Sequence, residues 1–184
     1  MRIETAELAD VLVLTPTPFR DERGFFTRTF DAEIFDDYLG SPGAAAGFIQ
    51  DSQSRTVKGV VRGMHGRLGR GEAKLVRCAH GAVHDVLVDT RRGSPTFGRT
   101  QSFLLDDKHF RHLFVPPGFL HGFQALTPTA DVCYRIDRAH DPSENLSVAY
   151  DDPDLAIGWP LAVTMVSAQD AAAPRWSEAL TRLP

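Results

Sequence analysis

Five polar side chains stand out because they can move protons or balance charge while their neighbours are apolar. His65 closes the run Val60-Val61-Arg62-Gly63-Met64-His65. A histidine there reads either as a satisfied core or surface residue or as a base at the end of a strand. Lys74 interrupts Ala73-Lys74-Leu75-Val76 as a lone cation in an apolar stretch. It either snorkels from a sheet edge or points into a pocket where an anion offsets its desolvation. In Ala82–Asp89 the alternation puts His84, Val86 and Val88 on one face and Asp85, Leu87 and Asp89 on the other. Asp85 therefore needs a partner, either an imidazole or a neighbouring loop. His121 enters an aromatic strand after the rigid turn Pro116-Pro117-Gly118, and Tyr134 shares a face with Val132 and Ile136. A buried tyrosine is either core with its hydroxyl satisfied or, in a pocket, a general acid.

A catalytic metal does not fit this set. The first residues after His65 are Gly66 and Arg67, so no second histidine follows it. Glu72 and His121 are the other candidates, and three convergent N/O ligands do not assemble from them. No glycine-rich loop opens a helix and no Gly-x-Ser-x-Gly elbow occurs, which points away from dinucleotide, P-loop and hydrolase chemistry.

The elements that must position these residues are strands. Period two dominates, over Val11–Leu14, Phe25–Phe30, Phe48–Ser54, Val57–His65, Ala73–Cys78, Ala82–Asp89, Gln101–Leu105, Arg111–Val115, Phe119–Leu126 and Val132–Ile136. Gly, Pro and Asp turns separate them. Helices are few. Asp31 caps an expected helix ending near Leu39, with Phe30, Ile34 and Tyr38 as its stripe. Ala168–Leu183 suits a short terminal helix with Pro174 in its first turn. Many short strands and scarce helices predict an all-β jelly roll or small barrel, a fold that binds small ligands in its mouth or interior.

Composition sets the frame. The chain has 184 residues, 42% hydrophobic and 24% charged, with net charge −4. That is ordinary globular usage and is read as one domain over residues 1–184. An acidic chain without a basic tract is not expected to bind nucleic acid or anionic membrane. The N-terminal stretch carries charges where a signal peptide needs an apolar run, and no run approaches a membrane span. A cytoplasmic protein is expected. Cys78 and Cys133 sit in strand-like runs and read as two buried thiols rather than a disulfide framework.

Taken together, these stretches resemble the dTDP-4-dehydrorhamnose 3,5-epimerase family. The resemblance is carried by Lys58-Gly59-Val60-Val61-Arg62-Gly63-Met64-His65, Lys74-Leu75-Val76-Arg77, Asp85 through Asp89 and Arg92-Gly93-Ser94-Pro95-Thr96-Phe97-Gly98. Pro116-Pro117-Gly118-Phe119 into His121-Gly122-Phe123 adds to it, as do Phe19 to Phe26, Asp151 to Leu155, Gly158-Trp159-Pro160 and Ser167 to Asp170. The resemblance implies a cupin-like jelly roll, a homodimer without metal or other cofactor, acting on a nucleotide diphosphate 4-keto sugar. By motif it implies that His65 is the general base and Asp170 its orienting partner. It implies Lys74 beside the C4 carbonyl and Tyr134 as the acid on the opposite face. Arg23, Arg62 and His121 match positions contacting diphosphate or sugar. Phe19, Phe26 and Gln50 match nucleotide-pocket positions, some reached from the neighbouring subunit.

The implied chemistry is consistent with the residues. A 4-ketone acidifies the hydrogens at C3 and C5. An imidazole is a suitable base near neutral pH, and an ammonium aimed at the enolate oxygen favours the transition state. Arg62 and His65 should face opposite sides of a flat strand, so a bulge at Gly63 is expected.

The sequence also departs from the resembled pattern. Gly66 and Arg67 stand where Tyr and Gln are usual, Glu72 where Gln is common, and Ser52 where Asn is usual. Arg28 replaces a Glu that contacts the thymine, and His140 replaces an aromatic that stacks on it. A sugar linked to GDP, ADP or CDP is therefore the alternative to a dTDP sugar. A single-carbon epimerase, a 3,4-ketoisomerase and a binding module without catalysis are the alternatives to a 3,5-epimerase.

Overall fold

Residues 1–39 and 47–183 are described by the structure, a computed structural model of the chain. Two antiparallel sheets face each other. The first has the order β1 (Arg2–Thr5), β2 (Leu12–Thr15), β10 (His112–Val115), β7 (Lys74–His80), β12 (Thr129–Ile136), β5 (Gln50–Val57). The second runs β13 (Asn145–Ser147), β6 (Val61–Arg67), β11 (Phe119–Ala125), β8 (Ala82–Asp89), β9 (Thr100–Asp106). A separate exposed hairpin joins β3 (Phe19–Asp21) to β4 (Gly24–Phe26). This is the all-β jelly roll that the strand pattern predicts. Among the described residues no helix is long and apolar enough to cross a membrane.

The alternation of β8 explains the layering. Val83 and Leu87 meet Val76, Val132, Leu113 and Phe123 between the sheets. Val86 and Val88 point the other way, where Met64, Leu146, Val148 and Trp176 cover the second sheet's outer face. A strand buried on both faces reads as a nearly continuous apolar run, and seven of the eight β8 residues are apolar or an acid that finds a partner or a turn, His84 being the exception. The outer face of the first sheet, through Leu12, Leu14 and Leu75, is covered by α1 (Ala32–Leu39) with Phe30, Phe48 and Phe114.

Three expectations need correction. Asp31 does cap α1, its Oδ1 accepting from the Ile34 N–H at 3.4 Å, but the buried face is centred on Phe35, 2% exposed. Ile34 and Tyr38 are 38% and 44% exposed. The aromatic contacts of Phe35 with Phe30, Phe48 and Phe114 rotate the helix away from the expected stripe. Second, the tail is not one helix. α2 (Ala168–Ala171) and α3 (Trp176–Ala179) are separate, with Pro174 between them rather than in a first turn. Proline lacks the N–H that a continuing helix would need there. Third, Val57–His65 is two strands. Lys58 and Gly59 turn the chain from β5 into β6, with Gly59 at φ +82°. Cys78 and Cys133 are both free and buried as expected, and burial pushes the Cys78 thiol up to about 12.

Candidate active site

At one end of the space between the sheets the apolar core gives way to polar side chains. On the first sheet, Tyr134 and Lys74 follow Val132 and Val76 along their inner faces, with Lys74 paired in register to Ile136. On the second sheet, His65 lies opposite His121 across the β6–β11 ladder, and Asp85 lies opposite Phe123. The resulting cavity holds about 850 Å³ and is lined by His65, Lys74, His121, Tyr134 and Asp170 among others. That volume suits a ligand of nucleotide-sugar size.

The expected irregularity at Gly63 is present. His121 pairs with His65 and Phe123 with Arg62, so β6 carries one residue more than β11 over the same stretch. Gly63 has φ +131°, and a Cβ there would lie 2.6 Å from the Gly122 Cα. This bulge turns both Arg62 and His65 toward the cavity. Arg62 is steadied by the Thr56 hydroxyl, which accepts from its Nε at 2.9 Å.

His65 Nε2 lies 2.6 Å from Asp170 Oδ1. The carboxylate is 3% exposed. It arrives on α2, whose first turn is fixed by the Ser167 hydroxyl accepting from the Asp170 N–H at 3.0 Å. Its other oxygen accepts from the Gly63 N–H at 3.3 Å. Burial raises the Asp170 carboxyl, but the bonds from His65, Gly63 and Ser167 outweigh it and hold the group below its ordinary value. An imidazole backed by a buried carboxylate has its ring orientation set.

Asp85 resolves as the imidazole alternative. Its Oδ2 lies 2.7 Å from His121 Nε2, and both side chains are buried. The His121 ring stands edge-on to Tyr134, centroids 6.0 Å apart. The Tyr134 hydroxyl is 3.3 Å from Ser54 Oγ. Burial pushes the Tyr134 phenol well above its ordinary value, Ser54 offsets part of that, and the charge of Asp85 adds to it. Tyr134 thus stays a phenol at neutral pH.

Lys74 is not a lone cation. Its Nζ lies 3.0 Å from Glu72 Oε1, and Arg67 Nε donates to Glu72 Oε2 at 3.0 Å. Two departures from the resembled pattern, Arg67 and Glu72, thus touch each other. Arg67 also bonds the Asp141 carbonyl at 2.6 Å, Asn145 Oδ1 and His140 Nδ1. His140, a third departure, is held at the cavity wall by that contact.

Gln50, Arg62, His121 and His140 line the same cavity. Phe19, Arg23, Phe26 and Arg28 do not. Phe19 and Phe26 are 74% and 69% exposed on the β3–β4 hairpin, where Arg23 is tied to Asp21 at 2.5 Å. Arg28 pairs with Asp31 at 2.7 Å beside α1. Ser54 and Asn145 are contacts that residue reasoning missed. Both sit in short polar stretches whose orientation only the register reveals. Among the described residues no group of three or more His, Cys, Asp or Glu is placed to hold a metal ion.

Fold and site together define a class, a cupin-like jelly roll with imidazole, carboxylate, ammonium and phenol groups gathered in one cavity. The model of the dTDP-4-dehydrorhamnose 3,5-epimerase family matches residues 5–178. The dTDP-4-dehydrorhamnose 3,5-epimerase of Salmonella typhimurium is 41% identical over 180 residues, 97% of this chain and 96% of that protein. The dTDP-4-dehydrorhamnose 3-epimerase of Streptomyces niveus is 37% identical over 97% of this chain and 86% of its own length. The crystal structure of NovW, a 4-keto-6-deoxy sugar epimerase of Streptomyces spheroides, superposes with TM-score 0.94 at 36% identity, covering 100% of this chain and 92% of that one. The chain belongs to the dTDP-4-dehydrorhamnose 3,5-epimerase family, and it is an isomerase.

Proposed function

We propose that the chain inverts C3 and C5 of a dTDP-linked 4-keto-6-deoxy sugar through an enolate, in a single cavity shared by two faces of the sugar ring. His65 takes the proton from the carbon next to the ketone, and the C–H electrons move onto the C4 oxygen. Asp170 holds the imidazole in orientation and balances the imidazolium. The Lys74 ammonium faces the developing oxyanion, which strengthens an interaction in the transition state that is weaker with the ketone. Tyr134 delivers a proton to the opposite face. Its phenol holds its proton tightly, but an enolate carbon is a strong enough base to take it. Arg62 and His121 contact sugar or diphosphate, and Gln50 and His140 contact the nucleotide.

The observation that carries this reading is the 2.6 Å contact of His65 with buried Asp170 in a cavity also lined by Lys74 and Tyr134. A second copy of the chain supplies Phe19, Arg23, Phe26 and Arg28 to each cavity, since all four stand outside the cavity of their own chain. The name carried by the Salmonella typhimurium relative favours dTDP as the nucleotide, whereas Arg28 and His140 are the positions at which another base would be admitted.

A second reading keeps the same residues but inverts C3 alone. It is favoured by the Streptomyces niveus relative, a 3-epimerase at comparable identity. Incorporation of deuterium from heavy water at C3 and C5, followed by NMR over dTDP-, GDP-, ADP- and CDP-linked 4-keto sugars, separates the two. Exchange at both carbons of the dTDP sugar is expected, and His65→Ala should lower it by at least about 10²-fold. A product whose carbonyl has moved, or full exchange by His65→Ala, defeats the reading.

A further inference from the structure

The wall beside Lys74 holds three charges in a row. Lys74, Glu72 and Arg67 are only 11%, 9% and 9% exposed at their side chains. Removing such groups from water is costly unless each is paired. Glu72 is the hinge of the row. One carboxylate oxygen faces the Lys74 ammonium and the other faces the Arg67 guanidinium, each at 3.0 Å. Burial raises the Glu72 carboxyl, but the two cations outweigh it and keep the group below its ordinary value, so it is charged at neutral pH.

Charge counting then matters. A carboxylate against Lys74 alone makes a neutral pair and weakens the field that the ammonium presents to the cavity. Adding Arg67 leaves the row with one net positive charge. Arg67 is fixed for this task by three further acceptors, the Asp141 carbonyl, Asn145 Oδ1 and His140 Nδ1. We propose that Glu72 is a positioning residue that holds the Lys74 ammonium at the cavity wall, and that Arg67 is the counter-cation that keeps the charge of Lys74 available to the substrate. This rests on the role given above to Lys74 and adds to it a dependence on two residues with no assigned part in the reaction.

The test is a double-mutant cycle on the full-length protein. Arg67→Gln should lower kcat about tenfold with KM changed much less, because Glu72 then neutralises Lys74. Adding Glu72→Gln to that variant should recover most of the loss, since the unbalanced carboxylate is gone. If Arg67 only anchors the segment around Asp141, the double variant will be as slow as Arg67→Gln or slower, which overturns the proposal.

A second measurement needs no substrate. Lys58 and Lys108 are the only other lysines in the chain, so the ammonium signal of Lys74 is assignable by ¹⁵N NMR. Its protons should be protected from exchange in the wild type, lose protection in Glu72→Ala and gain it in Arg67→Gln. Protection that survives Glu72→Ala, or that does not respond to Arg67→Gln, overturns the proposal. A wild-type protein that exchanges no sugar proton would instead defeat the epimerase reading, and the lysine signal would still judge the positioning.

Discussion

At the residue scale three basic side chains of the site each meet a largely buried carboxylate. His65 has Asp170, His121 has Asp85, and Lys74 has Glu72. Among the described residues Tyr134 has no ionic partner, its hydroxyl meeting Ser54 and its ring meeting His121. In the proposed reaction its raised phenol would serve as a proton donor that is recharged after each inversion. Tyr134→Phe should therefore leave deprotonation by His65 intact while preventing delivery from the opposite face. The deuterium experiment would show wash-in at C3 or C5 with the original configuration retained, and full epimerisation by this variant would remove Tyr134 from the mechanism. His65, Lys74 and Tyr134 were legible in the sequence because each breaks an apolar alternation. Glu72 was visible as a rejected metal-ligand candidate and as a departure, but its pairing with Lys74 and Arg67 was not, because that depends on how the turn over residues 68–71 folds the chain back.

At the element scale β6 is decisive, because its bulge at Gly63 sends Arg62 and His65 into the same space. Gly63→Ala would bring a Cβ to 2.6 Å from the Gly122 Cα at a positive φ, with backbone rather than a flexible side chain in the way. A loss of at least about 2 kcal/mol is expected in urea unfolding. Activity should fall about 100-fold in the folded fraction, through displacement of the imidazole. Strand β10 carries a separate liability. His112 is 2% exposed, and burial, helped by the charges of Arg77 and Arg135, pushes it down to about 4. Its unfolded value is near 6.5, so the unfolded chain binds the proton first as pH falls. The stabilisation is complete above about pH 6.5 and is lost toward pH 4, amounting to about 3 kcal/mol. Unfolding curves at pH 7, 5.5 and 4 should therefore show the wild type losing about 3 kcal/mol more than His112→Gln between pH 7 and pH 4. Equal slopes against pH for the two proteins would refute this. Strands such as β8 were readable because both faces are buried or paired. β1, β3 and β13 were not, since Arg2–Thr5 and the hairpin are exposed and Asn145–Ser147 is too short to show a period. The face of α1 was misread because three phenylalanines from distant segments, not its own spacing, decide which side is buried.

At the scale of the whole molecule, the cavity lies at one place and a set of exposed aromatics at another. Phe19, Phe25 and Phe26 are 74%, 54% and 69% exposed, and β5 at the sheet edge is open along most of its length. Large apolar side chains left in water and a sheet edge open on one side are features that a second copy would cover. If hairpins are exchanged between copies, two inactive variants should complement each other. Mixing Arg23→Ala with His65→Ala under conditions of subunit exchange should restore about a quarter of the wild-type sites, since half the dimers are mixed and each has one intact site. No recovery, with the mixed dimer shown to form by sedimentation and mass, would show that the hairpin does not serve the site of the other copy. The jelly roll itself was legible from strand spacing and turns, whereas the expectation that some pocket residues come from the neighbouring subunit rested on the resemblance alone, because nothing in a single chain's pattern says which copy a residue serves.

The pairing of His65 with Asp170 joins positions far apart in the chain, and the carboxylate sits on a turn that follows every strand of both sheets. A ribosome emitting this chain would release all the strands before it released that turn. Competence for proton abstraction would therefore arise last, after the tail with Trp176 and Leu183 had docked on Met64 and Val148. Recovery of turnover during refolding would serve as a clock for that final docking, lagging behind any signal that reports the sheets alone.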